Sequence, residues 1–277
     1  MGLAGAGVAG STLFGRTAAA LPDRWFAVPR WSGFRSVLRA EDGYLATGIQ
    51  TNGDGEQCGW AVRLDEDRAV VWNRTYQSPP HLRETDTGED HDGFEFALPD
   101  GDGGFLLVGW WHTESSDSRF GWLVRVDRRG RPRWSRIYTR PDANSFRDDW
   151  AGGVRTEDGY LLVGRTLGGE FLDEETGDGW VVAVSDGGRV EWERAYNTDG
   201  STTRRFSEDG RHAEFSGVVR AGSGYLVVGE ASPDGPSEST NTAGWAVRLD
   251  GDGDVQWSRT YRLDSGANNE FRDVVAT

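Results

Sequence analysis

Apolar residues along this chain come in short runs that return in the same form. "DGYLATG" (42–48) is followed by "GGFLLVG" (103–109), "DGYLLVG" (158–164) and "SGYLVVG" (223–229), each nearly continuous in apolar residues and closed by Gly. Downstream of each comes "GWAVRLD" (59–65), "GWLVRVD" (121–127), "GWVVAVS" (179–185) or "GWAVRLD" (244–250). An alternating stretch then follows: "VVWNRTY" (70–76), "PRWSRIY" (132–138), "VEWERAY" (190–196) and "VQWSRTY" (255–261). Upstream of each first run stands an aromatic: Phe34, Phe94, Trp150 or Phe215. Runs of four to seven residues rich in Val, Leu, Trp and Tyr, bounded by Gly and Asp, predict β-strands. The unit is therefore strand A (opened by the aromatic), B (GYLLVG), C (GWLVRVD) and D (W-x-R-x-Y), with four copies 55 to 65 residues apart.

Tight Asp/Gly links between A and B, and between C and D, predict a four-stranded antiparallel meander. Such a sheet repeated around an axis is a blade of a β-propeller, and stacking the blades buries both faces of each, which accounts for the apolar strand B. The predicted fold is all-β: a propeller of four complete blades plus an incomplete fifth, with a closed four-bladed ring as the alternative. "DRWFAVPRW" (23–31) reads as a worn strand D around Trp25, and "EFRDVVAT" (270–277) as strand A of a fifth copy. Residues 23–277 form the repeat domain. Residues 1–22, apolar and rich in small residues, read as a signal-like or disordered segment and point to an extracellular or cell-surface location, with the cytoplasm as the alternative.

In strand D the period of two places Trp72, Arg74 and Tyr76 on one face, and likewise Trp134, Arg136 and Tyr138, Trp192, Arg194 and Tyr196, and Trp257, Arg259 and Tyr261. A catalytic residue need occur only once, so a trio present in every copy is expected to pack blades, with the aromatics clamping the Arg stem.

The repeats resemble a family of archaeal and bacterial secreted β-propeller proteins with DGGYLLVG and W-L-V-K-x-D-x-x-G-x-x-x-W motifs. "WLVRVDRRGRPRW" (122–134) is also similar to the repeats of quinoprotein (PQQ-like) propellers. The resemblance covers about residues 25–277 and implies the scaffold, not an activity. Ser185 departs from it where the other copies have Asp65, Asp127 and Asp250, and no quinone-cofactor constellation can be matched.

Composition narrows the function classes. The formal charge of −15 lacks the basic face that nucleic acid requires, and all 30 basic residues are Arg, so Lys chemistry is absent. An acidic, Lys-free surface resembles proteins adapted to concentrated salt, which screens the self-repulsion. The single Cys58 forms no internal disulfide and no thiolate metal cluster. No window is apolar enough for a membrane span, and a monomer is expected.

The A–B and C–D turns share one face of a propeller and are short. The B–C loops and D–A crossovers share the other face, and are long and unlike one another, which is where binding sites sit. His81, His91, His112 and His212 all fall there. The candidate ligand-binding residues are Trp110, Trp111, His112, Phe171, Arg205 and His212, with Trp110, Trp111 and His112 as an aromatic platform for a sugar or apolar ligand. The competing reading has both Trp packing between blades. Glu170, Asp173, Glu174 and Glu175 crowd one B–C loop and could supply an acid and a base for glycoside hydrolysis. Asp250, Asp252 and Asp254 alternate as in hard-cation sites, but Tyr261 stands where a calcium loop has Glu, so a plain turn is favoured and no cofactor beyond weak Ca2+ is expected. No nucleophile elbow, phosphate loop or H-E-x-x-H motif is present. The expected function is therefore non-catalytic: an exported or cell-surface propeller that binds a protein or carbohydrate through its long-loop face. The alternative is a carbohydrate-active hydrolase or lyase, or a degenerate quinoprotein.

Overall fold

The computed structural model describes residues 32–52, 55–78, 90–113, 116–138, 146–168, 177–197, 202–203, 212–232, 242–262 and 268–276, and every regular element among them is a β-strand. Blade 1 is β1 (Ser32–Ala40), β2 (Gly43–Thr51), β3 (Gln57–Leu64) and β4 (Val70–Tyr76). Blade 2 is β5 (Asp90–Pro99), β6 (Phe105–Thr113), β7 (Ser116–Val126) and β8 (Pro132–Tyr138). Blade 3 is β9 (Phe146–Arg155), β10 (Gly159–Gly168), β11 (Asp178–Ser185) and β12 (Val190–Tyr196), with the two-residue β13 (Thr202–Thr203) on its outer edge. Blade 4 is β14 (Ala213–Ala221), β15 (Gly224–Ala231), β16 (Ala243–Leu249) and β17 (Val255–Tyr261). Each blade is an antiparallel meander in chain order, and one parallel pair, Arg119 with Arg147, joins blades 2 and 3. The A strands touch one another (β1 with β5, β5 with β9, β9 with β14), so they form the inner wall of the propeller. The fold is a propeller with the four predicted blades.

A single aromatic lock recurs between blades. The strand-A aromatic stacks on the strand-C Trp of its own blade: Phe34 on Trp60 at 4.2 Å, Phe94 on Trp122 at 4.7 Å, Trp150 on Trp180 at 4.2 Å and Phe215 on Trp245 at 4.6 Å. Its other side meets the preceding blade, where Tyr76 sits edge-on to Phe94 and Tyr196 to Phe215. The Gly of each "GW" makes room for it, since a Cβ on Gly59 would lie 2.6 Å from Phe94, and one on Gly179 2.8 Å from Phe215. The dipeptide thus encodes two contacts: Trp for its own blade, and the missing side chain for the next.

The strand-D trio does pack blades, but what it clamps is the C–D turn of the following blade. Trp72 Nε1 donates to the Arg128 carbonyl (3.1 Å), Arg74 Nε to that of Arg129 (3.1 Å) and Tyr76 Oη to that of Gly130 (2.8 Å). One blade on, Trp134 donates to the Asp186 carbonyl and Tyr138 to that of Gly188, and further on Tyr196 donates to Gly253. Burial pushes the three phenols well above their ordinary pKa. The gripped turns require Gly twice over. Gly130, Gly188 and Gly253 have φ of 72°, 74° and 83°, and a Cβ at each would lie within 3 Å of the clamping Arg or Trp.

The fourth trio differs: among the described residues it grips no turn, and Trp257 and Tyr261 are 38% and 45% exposed. Blade 1 has the matching exception. Its C–D turn carries Arg68 at φ 66° in the Gly place, and no trio among the described residues grips it. The expected fifth strand A is present in position but not as a strand. Phe271 packs on Gly244 and sits edge-on to Tyr261, as Phe94 does on Gly59 and Tyr76. Residues 268–276 form no ladder, because no fifth strand B lies beside them among the described residues to pair with.

Candidate functional site

Strand A starts and strand B ends on the face that bears the long loops. There, two places within otherwise repeating strands change from copy to copy. Before the strand-A aromatic stand Gly33, Gly93, Asp149 and Glu214, and after the last Gly of strand B stand Ile49, Trp110, Arg165 and Glu230. In blades 2 to 4 the residues at these places, together with Glu95 and Arg119 of blade 2, form a half-buried belt of alternating charge.

The belt begins at Glu95 on β5, which accepts from Trp110 Nε1 (2.9 Å) and Arg119 (3.0 Å). Arg119 on β7 also pairs with Asp149 on β9 at 3.0 Å, so it ties blade 2 to blade 3. Arg165 on β10 pairs with Asp149 at 3.1 Å and reaches Glu214 on β14 at 3.5 Å, tying blade 3 to blade 4. Glu214 lies directly opposite Glu230 in the β14–β15 ladder. His212 Nε2 is 3.2 Å from Glu230 Oε1, and Thr242 donates to Glu230 Oε2 at 3.0 Å. Acids therefore outnumber arginines, and the excess lies at the blade 4 end. Burial lifts the Glu214 carboxyl above its ordinary range against the pull of Arg165, whereas the hydrogen bond from His212 holds Glu230 below it.

The structure scatters the residues predicted from the sequence. Trp110 and His212 lie in the belt. The Arg119 guanidinium sits 4.4 Å over the Trp110 ring, and a Cβ on Gly93 would meet Trp110 and Ile49, so this ring is held flat between blades. Trp111 is buried and stacks on Phe120 at 5.3 Å, which places it in the core between blades 1 and 2 and not on an open platform. His112 stacks on His91 across β5 and β6 at 6.1 Å, beside the belt. Phe171, Arg205, His81, Glu170, Asp173, Glu174 and Glu175 lie outside the described residues.

Asp250, Asp252 and Asp254 form the β16–β17 turn on the opposite face. Asp250 Oδ1 accepts from the backbone N–H groups of Asp252 (3.0 Å) and Asp254 (2.9 Å), and Asp254 pairs with Arg194. Asp127 caps its own turn in the same way, and Ser185 Oγ accepts from Arg189 N (3.1 Å), so the departure at Ser185 preserves the cap.

The belt residues Glu95, Arg119, Asp149, Arg165, Glu214, Glu230 and Thr242 were not singled out from the sequence, although a signal was available. Within a repeat, the constant positions build the scaffold, and the positions that vary inside a constant strand are free to serve a site.

No protein-family model matches the chain, and no curated protein matches it. Among solved structures it is similar to a GH43 endo-arabinanase from Bacillus licheniformis, at 11% identity and a TM-score of 0.42 over 83% of this chain and 79% of that one. That likeness is too distant to assign residues or chemistry.

Proposed function

We propose that the chain is a non-catalytic binding module that seats a polyhydroxylated ligand, of the carbohydrate class, on its long-loop face over the charged belt. The observation that supports this reading is the alternation Glu95, Arg119, Asp149, Arg165, Glu214 across three blades at 3.0 to 3.5 Å. Side chains of these residues are 22% to 30% exposed, so they are fixed by one another yet open to a ligand. Paired donors and acceptors at that spacing suit vicinal hydroxyls, which both give and accept hydrogen bonds. A rigid scaffold lowers the entropy lost on binding. The apolar N-terminal stretch favours an exported or cell-surface setting, where glycans are abundant.

The test is an oligosaccharide panel scored for binding and for turnover in molar salt. The expected result is saturable binding of at least one oligosaccharide without product. Absence of binding across the panel would reject the ligand class. Turnover abolished by Glu214→Gln or Glu230→Gln would replace the binding module by an enzyme.

A further inference from the structure

The blade 4 end of the belt holds a feature that ligand binding does not require. His212 and Glu214 are two residues apart at the start of blade 4, so they project to one side, and Glu230 faces Glu214 across the ladder. One ligand-type atom from each of the three lies within 4.8 Å of the others.

We propose that His212, Glu214 and Glu230 form a binding site for one divalent transition-metal ion of the zinc class. This does not rest on the carbohydrate reading. Like charges directly opposite in a ladder repel, and Arg165, their nearest guanidinium, is shared with Asp149. A bound cation removes that repulsion and leaves Arg165 to Asp149.

The imidazole itself is buried and only partly satisfied. His212 is 8% exposed, Nε2 faces Glu230, and the buried Nδ1 has no hydrogen-bond partner among the described residues. The one ring contact is that of Nε2 with Glu230, so Nε2 can give up its proton to a metal, and Nδ1 can take one, without breaking a hydrogen bond at Nδ1. The backbone around it is fixed: the His212 carbonyl accepts from Ser232 N at 2.7 Å and Ala213 N donates to Gly177 at 2.6 Å. Ligands about 2.1 Å from zinc stand roughly 3.4 Å apart in a tetrahedron, so closing from 4.8 Å takes side-chain rotation and no movement of strands. One imidazole and two carboxylates suit zinc or a similar ion, whereas calcium seeks six to eight oxygens. The Thr242 hydroxyl, on Glu230 Oε2, orients that ligand from behind.

The experiment uses the untagged full chain stripped with a chelator, titrated with Zn2+ or Ca2+ in molar NaCl and followed by calorimetry, bound-metal analysis and thermal melting. One equivalent of zinc is expected, with a raised melting temperature. His212→Gln and Glu230→Gln should each weaken binding at least tenfold, while their metal-free melting stays close to that of the metal-free parent. His112→Gln should bind as the parent does. No zinc uptake, uptake unchanged in both His212→Gln and Glu230→Gln, or uptake lost in His112→Gln alone overturns the proposal. So does uptake of calcium in preference to zinc.

Discussion

Trp134 and Trp257 occupy the same place in the same motif, yet among the described residues only Trp134 grips a turn, and replacing each by Ala measures what the grip contributes. Trp134 is half-buried, packs against the core between blades 2 and 3, and donates to the Asp186 carbonyl at 2.8 Å. Trp→Ala at a fully buried site costs about 3 to 5 kcal/mol, and a half-buried ring about half of that. The lost hydrogen bond adds about 1 kcal/mol. Trp134→Ala should therefore destabilise by about 3 kcal/mol, which in a chain of this size lowers the melting temperature by roughly 6 to 12 °C. Trp257, 38% exposed with no turn beneath it among the described residues, should cost less than about 1 kcal/mol. Both variants are compared by thermal and urea unfolding in molar NaCl, and ligand affinity should be unchanged in both. Trp192→Ala, whose ring lies over Gly253, should follow Trp134→Ala. Equal losses at Trp134 and Trp257 would show that the Trp acts within its own blade, and the clamp reasoning would be wrong.

Further expectations concern the lock, the clamp and the surface. Because the clamp tyrosines have raised pKa values in the fold, their contribution is fully present below the ordinary value of 10 and falls as pH rises beyond it. At pH 11 the three together should cost about 4 kcal/mol, with phenolate absorbance from them rising only on unfolding; smooth titration of all seven tyrosines in the folded protein contradicts this. Gly179→Ala should destabilise by about 1 to 3 kcal/mol, while Gly33→Ala, with nothing near the added carbon, should be close to neutral by urea unfolding. With a net charge of −15, the melting temperature should rise from low to molar salt, and a flat or falling trend speaks against salt adaptation.

What was legible in the sequence follows the repeat. The strands, the four blades and the structural role of Trp72, Trp134 and Trp192 could be read because each recurs in register. The partner of the trio could not: Tyr76 to Gly130 spans 54 residues, and strand periodicity fixes a side chain's face but not what lies opposite. The candidate site was hidden for the opposite reason. Asp149, Arg165, Glu214 and Glu230 are single residues inside constant strands, and only the packing of blade 3 against blade 4 brings them together. Trp111 misled because a doubled Trp reads as a surface platform, whereas strand alternation turns it onto Phe120 in the core.

Recognition is assigned to the belt, and not to the repeated aromatics or the turns. The direct test of this assignment is the dissociation constant of the best-binding oligosaccharide, measured in parallel for the parent, Asp149→Asn in the belt and Asp127→Asn in the opposite turn face. Asp149→Asn should weaken binding tenfold or more while Asp127→Asn leaves it unchanged, with both variants verified as folded by their melting curves. Full affinity in Asp149→Asn, together with weakened binding in Asp127→Asn, would place recognition on the turn face and contradict the account.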